Sequence, residues 1–140
     1  MDSESQPNSG ENDSNSQAKA LTPLRRARVE VAPLVVSKED FRSSINELKA
    51  GVGPLAVDAE RASGYRYNSH AYLFQFYRRE SRIFLVDPMG LRGESAIINE
   101  FNDAFREELW LIHASTQDLP CIREFGLEPN HLFDTELGAR

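Results

Sequence analysis

Cysteine is nearly absent: the 140 residues hold one, Cys121. A single thiol builds neither a disulfide framework nor a cysteine-ligated zinc site, and a reducing cytoplasm is the expected home. Long apolar runs are missing too. No stretch approaches the roughly 18 apolar residues that a membrane span needs, so no membrane partner is expected. The first residues lack the basic-then-apolar order of a signal peptide. Positive charge is in deficit, with 16 Lys and Arg against 22 Asp and Glu and a formal net charge of -6. That balance excludes a protein that coats nucleic acid by bulk charge. It leaves room for an enzyme that holds cations and meets a phosphate chain through them. What is present is ordinary: 40% hydrophobic and 27% charged residues exclude a wholly disordered or fibrous chain and suffice for one domain with a core.

The composition changes along the chain. Residues 1–33 begin with a stretch rich in Ser, Asn, Gln, Asp and Glu, without an aromatic residue up to Ala20. Such a segment buries too little apolar surface to offset its ordering entropy, so 1–33 reads as a disordered polar tail. Arg25, Arg26 and Arg28 near its end read as a solvated linker or, less simply, as a phosphate contact. From Leu34 the pattern is globular. Ser37 and Asp40 resemble a capping box, and Phe41, Ile45 and Leu48 follow at helical spacing until Gly51. Pro54–Asp58, Ala71–Tyr77 and Arg82–Asp87 read as strands, the last two joined by a turn at Arg79–Ser81. Ile97, Ile98, Phe101 and Phe105 mark one face of a helix. Leu109–Ile112 reads as a strand, Ser115–Phe125 as a helix, His131–Phe133 as a last strand, and Thr135 as the start of another helix. A meander followed by strand–helix alternation predicts an α/β fold, a mixed five-stranded sheet with flanking helices.

Three acidic positions could carry chemistry. Asp58 and Glu60 alternate on one face of a strand, about 6.6 Å apart at ~3.3 Å per residue, at the carboxyl end that lines the ligand crevice of open α/β sheets. Two carboxylates held near an apolar core repel each other and lose hydration, and a divalent cation relieves both costs. The plainer reading is a pair of surface acids at a strand end. Asp118 follows the strand Leu109–Ile112. With Ser115 as N-cap it is the N3 residue and stabilises the helix start; if two neighbouring strands bring it to Asp58 and Glu60, the three acids form the oxygen-rich site that magnesium or manganese prefers. Asp134 ends the last strand and caps the next helix or joins the site. His113, at the end of its strand, is a hydrogen-bonded structural residue or a base or substrate contact. Cys121 and Trp110 read as core. Arg61, Arg66, Arg78, Arg79 and Arg82, interleaved with Tyr65, Tyr67 and Tyr72, suit a single-stranded nucleic acid or are the solvated ends of a hairpin.

Taken together, Pro54-Leu-Ala-Val-Asp58-Ala-Glu60-Arg-Ala-Ser-Gly-Tyr-Arg-Tyr67, Ala71-Tyr-Leu, Val86-Asp-Pro88, Leu111-Ile-His-Ala-Ser-Thr-Gln-Asp118-Leu-Pro and Leu132-Phe-Asp-Thr135 resemble ribonuclease D, most of all its actinobacterial branch. The resemblance implies a ribonuclease-H-like fold over residues 34–140 and a DEDD-type 3'-5' exonuclease that trims single-stranded RNA from its 3' end. It implies two divalent ions, Mg2+ or Mn2+, roughly 3.5–4 Å apart, with Asp58, Glu60 and Asp118 as catalytic metal ligands and Arg61, Arg66 and His113 on the nucleic acid. Asp134 matches a family aspartate outside the four catalytic acids and is expected to be structural. The family's third motif, with its tyrosine and fourth aspartate, and its C-terminal RNA-binding module have no counterpart in the 140 residues, so an amino-terminal part of the exonuclease domain is expected. No protein partner is expected from the sequence. The alternative is a catalytically inactive RNA- or protein-binding module on the same fold.

Limited proteolysis with mass spectrometry checks the boundary. Rapid cuts before residue 33 and survival from Leu34 onward are expected; protection of Ala18 or Leu21 equal to that of Val57 would move it.

Overall fold

Ser37 opens the first helix: its hydroxyl accepts the Asp40 N–H at 3.1 Å, satisfying a donor that the first turn leaves orphaned. In a computed structural model that describes residues 26–61 and 70–139, this helix is α1, Lys38–Ala50. Glu39 and Asp40 at its start and Lys49 at its end complement the helix dipole. Phe41, Ser44, Ile45 and Leu48 form its buried stripe.

The sheet follows as β1 (Val52–Arg61), β2 (Ala71–Arg79) and β3 (Phe84–Val86), then α2 (Ser95–Ala104), β4 (Leu109–Ile112), α3 (Ser115–Phe125), β5 (His131–Asp134) and a short α4 (Thr135–Gly138). Its five strands lie in the order β3-β2-β1-β4-β5. The β2 pairings with β1 and β3 are antiparallel, while β4 runs parallel to both β1 and β5. The mixed five-stranded sheet with flanking helices is the one expected from the element order, and it is the ribonuclease-H-like arrangement that the resemblance implies.

Alternation decides which residues face the helices. Leu55, Val57 and Ala59 of β1 and Phe74, Phe76 and Arg78 of β2 are buried. They meet an aromatic cluster centred on Phe101 of α2, whose ring stacks on Phe41 (5.5 Å, 5°) and touches Phe76, Phe105 and Trp110. α3 joins the same face through Phe125 against Phe74. Cys121 and Trp110 are core residues, as expected, and both are fully buried. Asn102 fixes the chain after α3: its amide donates to the Gly126 carbonyl and its oxygen accepts the Glu128 N–H.

Several boundaries shift. The tail was expected to reach residue 33, but Ile83 N–H donates to the Glu30 carbonyl and Ala32 N–H to the Ile83 carbonyl. The chain therefore lies against β3 from Glu30 on, and Ala32 is buried; residues 1–25 lie outside the described residues. β1 is longer than Pro54–Asp58 because β2 pairs with it as far as Arg61. β3 is shorter than Arg82–Asp87 because only Phe84–Val86 find partners on β2.

Phe101→Ala removes the centre of the aromatic cluster. Loss of about 3–5 kcal/mol is expected for such a truncation, seen as a melting temperature about 10–20 °C lower by circular dichroism.

Candidate active site

The site is built where β1 outruns its neighbour. β4 pairs with β1 at Leu55 and Ala56 and ends at Ile112, so among the described residues the last residues of β1 have no parallel partner on that side. The backbone there keeps its donors, and the Asp118 carboxylate accepts the Ala59 N–H. Asp118 reaches it because the chain reverses sharply after β4. Ala114 adopts a left-handed conformation (φ 49°) and brings α3 back over the sheet. Ala114 is thereby the N-cap residue, and Asp118 stands one position deeper than the N3 place expected with Ser115 as cap.

Asp58 and Glu60 project from the face of β1 opposite the core, both exposed. They are joined by a residue the sequence reading missed. Gln75 stands opposite Asp58 on β2, and its amide nitrogen donates to Asp58 Oδ2 at 3.1 Å and approaches Glu60 Oε1 at 3.5 Å. A lone amide amid the aromatic residues of Ala71–Tyr77 is the sequence signal that marks it. Beside this group lies a groove of about 240 Å³ lined by Ala56, Asp58, Gln75, Tyr77 and Ile83.

Asp118 is 7% exposed. Its pKa is raised above the ordinary aspartate value by burial first and by the Asp58 charge second; the Ala59 N–H, Arg61 and His113 pull the other way. Asp58, Asp118, Arg61 and His113 therefore share one electrostatic neighbourhood. Among the described residues, however, no three His, Cys, Asp or Glu side chains come close enough to enclose an ion. The expected three-carboxylate crevice is thus present as a neighbourhood and not as a closed ligand set: Asp58 and Glu60 are tied to Gln75 and Asp118 to Ala59. An all-oxygen donor set carrying crowded negative charge nevertheless fits a hard divalent cation.

Asp134 is a clamp. Oδ2 accepts both the Ser115 N–H and the Ser115 hydroxyl at 2.7 Å, and Oδ1 accepts the Glu136 and Leu137 N–H groups. The expected cap on α4 is there, together with an unforeseen one on α3. The Ser115 hydroxyl first, and then the backbone donors, lower its pKa to about 2. A depressed carboxylate adds stability above its unfolded pKa, which is lost as pH falls through about 2. His113 Nδ1 lies 3.1 Å from Thr135 Oγ1, so the histidine joins the same strand-end cluster.

The arginine group comes apart. Arg61 stands at the carboxylate end of β1, while Arg79 pairs with Val52 at the far end of the hairpin. Arg78 is buried, donating to the Gly53 carbonyl and ion-paired with Glu108. Arg82 is held by Glu47. Arg78 and Arg82 are therefore structural, contrary to a continuous basic patch. Arg66, Tyr65 and Tyr67 lie outside the described residues.

Comparisons with known proteins agree with this fold. The family model described as a 3'-5' exonuclease matches residues 34–140. A search of curated proteins finds no match. A solved structure of a protein from Bifidobacterium adolescentis is 42% identical, with a TM-score of 0.70, over 80% of this chain and 29% of its own. The catalytic core of RRP6 from Trypanosoma brucei is 27% identical, with a TM-score of 0.61, over 74% and 29%. Escherichia coli RNase D, an exoribonuclease involved in structured RNA processing, shares the fold at 23% identity and a TM-score of 0.58, over 76% and 28%. The chain spans less than a third of the length of each of these three.

Asp118→Asn should stabilise the metal-free chain. With its folded pKa raised, Asp118 makes the folded state bind more protons than the unfolded one, so its contribution to stability falls as pH rises from the ordinary aspartate pKa through the raised one. The amide removes the buried charge and keeps an acceptor for Ala59. A melting temperature a few degrees higher near pH 7, with the gap closing at acid pH, is the expected calorimetric result.

Proposed function

The chain belongs to the 3'-5' exonuclease family, and from that premise we propose that it carries the metal-binding side of an exoribonuclease centre acting on the 3' ends of single-stranded RNA. The observation that carries the reading is the grouping at the open end of β1: Asp58 and Glu60 bridged by Gln75, with buried Asp118 within reach of the Asp58 charge. One structural neighbour is an exoribonuclease, which supports RNA as the polymer. The proposal includes a cytoplasmic setting, where a single buried thiol stays reduced. Among the described residues no helix is long and apolar enough to cross a membrane.

In this reading Asp58, Glu60 and Asp118 are the ligands for two divalent ions, Mg2+ or Mn2+. Such ions, when bound, supply charge stabilisation for phosphoryl displacement and make water acidic enough to attack. The chain's residues do the rest. Asp58 and Glu60 offer their oxygens on the open face of the sheet. Asp118, whose burial disfavours its charged form, offers a carboxylate whose cost of burial an arriving cation offsets. Arg61 and Arg66 meet phosphates. His113, with Nδ1 engaged by Thr135, offers Nε2 to a phosphate or sugar oxygen. Asp134 holds α3, and with it Asp118, in place.

A non-catalytic RNA-binding module on the same fold is the second reading, favoured by the open arrangement of the carboxylates. Metal and substrate experiments separate the two. Mn2+ should raise the melting temperature of the 140-residue chain by mass action, and Asp58→Asn should abolish the rise; an equal rise in that variant removes the three-carboxylate site. For hydrolysis, a polypeptide extended through a Tyr-x-x-x-Asp motif should shorten 5'-labelled RNA from the 3' end only with a divalent cation. The 140-residue chain should be slower by several orders of magnitude, because a misplaced metal forfeits several kcal/mol of transition-state stabilisation. RNA binding with no metal effect in either polypeptide favours the inactive module.

A further inference from the structure

The Gln75 amide occupies a place that composition does not explain. Its neighbours along β2 are Phe74 and Phe76 on the core face and Leu73 and Tyr77 on its own face, all apolar or aromatic. At the register position opposite Asp58 an apolar residue would pack equally well. The amide instead turns toward two acceptors, which fixes its nitrogen rather than its oxygen against them. That nitrogen carries two hydrogens, one for each carboxylate, at 3.1 Å from Asp58 Oδ2 and 3.5 Å from Glu60 Oε1. Asp58 lies directly across the ladder and Glu60 diagonally, the two cross-strand relations a long side chain can span.

The donor is neutral, and this decides what it can do. A lysine or arginine here would also hold the two acids, but it would cancel part of their charge and compete with any cation. An amide orients both carboxylates and leaves both charges intact. One hydrogen on each acid leaves most of its lone-pair positions open.

We propose that Gln75 is a positioning residue: it holds Asp58 and Glu60 in the mutual orientation in which they take up a divalent cation, so that less order has to be imposed on binding. This rests on the metal-dependent reading above. Groups that orient metal ligands from outside the coordination sphere change affinity by about 10–100-fold when removed.

The test uses the 140-residue chain, with Mn2+ affinity from titration calorimetry and the metal-free melting temperature measured on the same samples. Wild type should bind Mn2+ in a manner that Asp58→Asn abolishes. Gln75→Leu should weaken binding about 10–100-fold, with a metal-free melting temperature within about 2 °C of wild type, as for a partly exposed side chain. Gln75→Asn, which keeps the amide on a side chain one methylene shorter, should fall between. Equal affinity in wild type and Gln75→Leu overturns the positioning role and leaves the metal site standing. Absence of Asp58-dependent binding in wild type overturns the metal reading and this inference with it. If Gln75→Leu does not fold, Gln75→Asn decides: a folded variant with wild-type affinity overturns the proposal, and a weaker one supports it.

Discussion

A mismatch of strand length is the constraint on which the site depends. β1 has ten residues and its parallel neighbour β4 has four. Where β4 stops, the backbone of β1 continues without a strand partner on that side among the described residues, and unpaired backbone donors near a core are costly. α3 answers this by lowering Asp118 onto the Ala59 N–H. The same bond that satisfies the strand thus draws a carboxylate toward the Asp58 charge.

The two faces of the sheet divide the labour. One face carries nearly the whole aromatic core, with Phe101 at its centre and α1, α2 and α3 packed on it. Its rigidity fixes the height and direction of β1. The other face presents Asp58, Gln75 and Glu60 above a half-buried floor of Ala56 and Tyr77. Period-two alternation therefore does more than separate inside from outside. It puts both carboxylates of β1, Asp58 and Glu60, on one side and Leu55, Val57 and Ala59, which anchor the strand, on the other.

Much of this was legible in the sequence. The helical stripe Phe41-Ile45-Leu48, the alternation around Asp58 and the capping hydroxyl of Ser37 are local signals, and local physics produced each of them. What was hidden depends on register or on a single backbone angle. Gln75 means little until β2 is slid along β1 to set it opposite Asp58. Ala114 gives no warning that it turns left-handed, so Ser115 looked like a cap when it is the first residue capped. The arginines of 61–82 looked like one patch, but a nine-residue strand is about 30 Å long and carries Arg78 and Arg79 to the opposite end of the hairpin. The chain next to β3 was misread as tail because Glu30–Ala32 contribute backbone pairing, which composition does not record.

The Asp134 clamp has a consequence for how an anion can be met. The amino terminus of a helix is ordinarily a ready seat for phosphate, with free N–H groups and the positive end of the dipole. Here one carboxylate accepts from Ser115 at the head of α3 and from Glu136 and Leu137 at the head of α4. Its depressed pKa keeps it ionised. Both helix heads near the site are therefore already faced by one negative charge, which works against seating a polyanion on their backbone N–H groups. Under the proposed function, attraction for its phosphates falls to side chains such as Arg61 and to the cations that Asp58, Glu60 and Asp118 are proposed to hold.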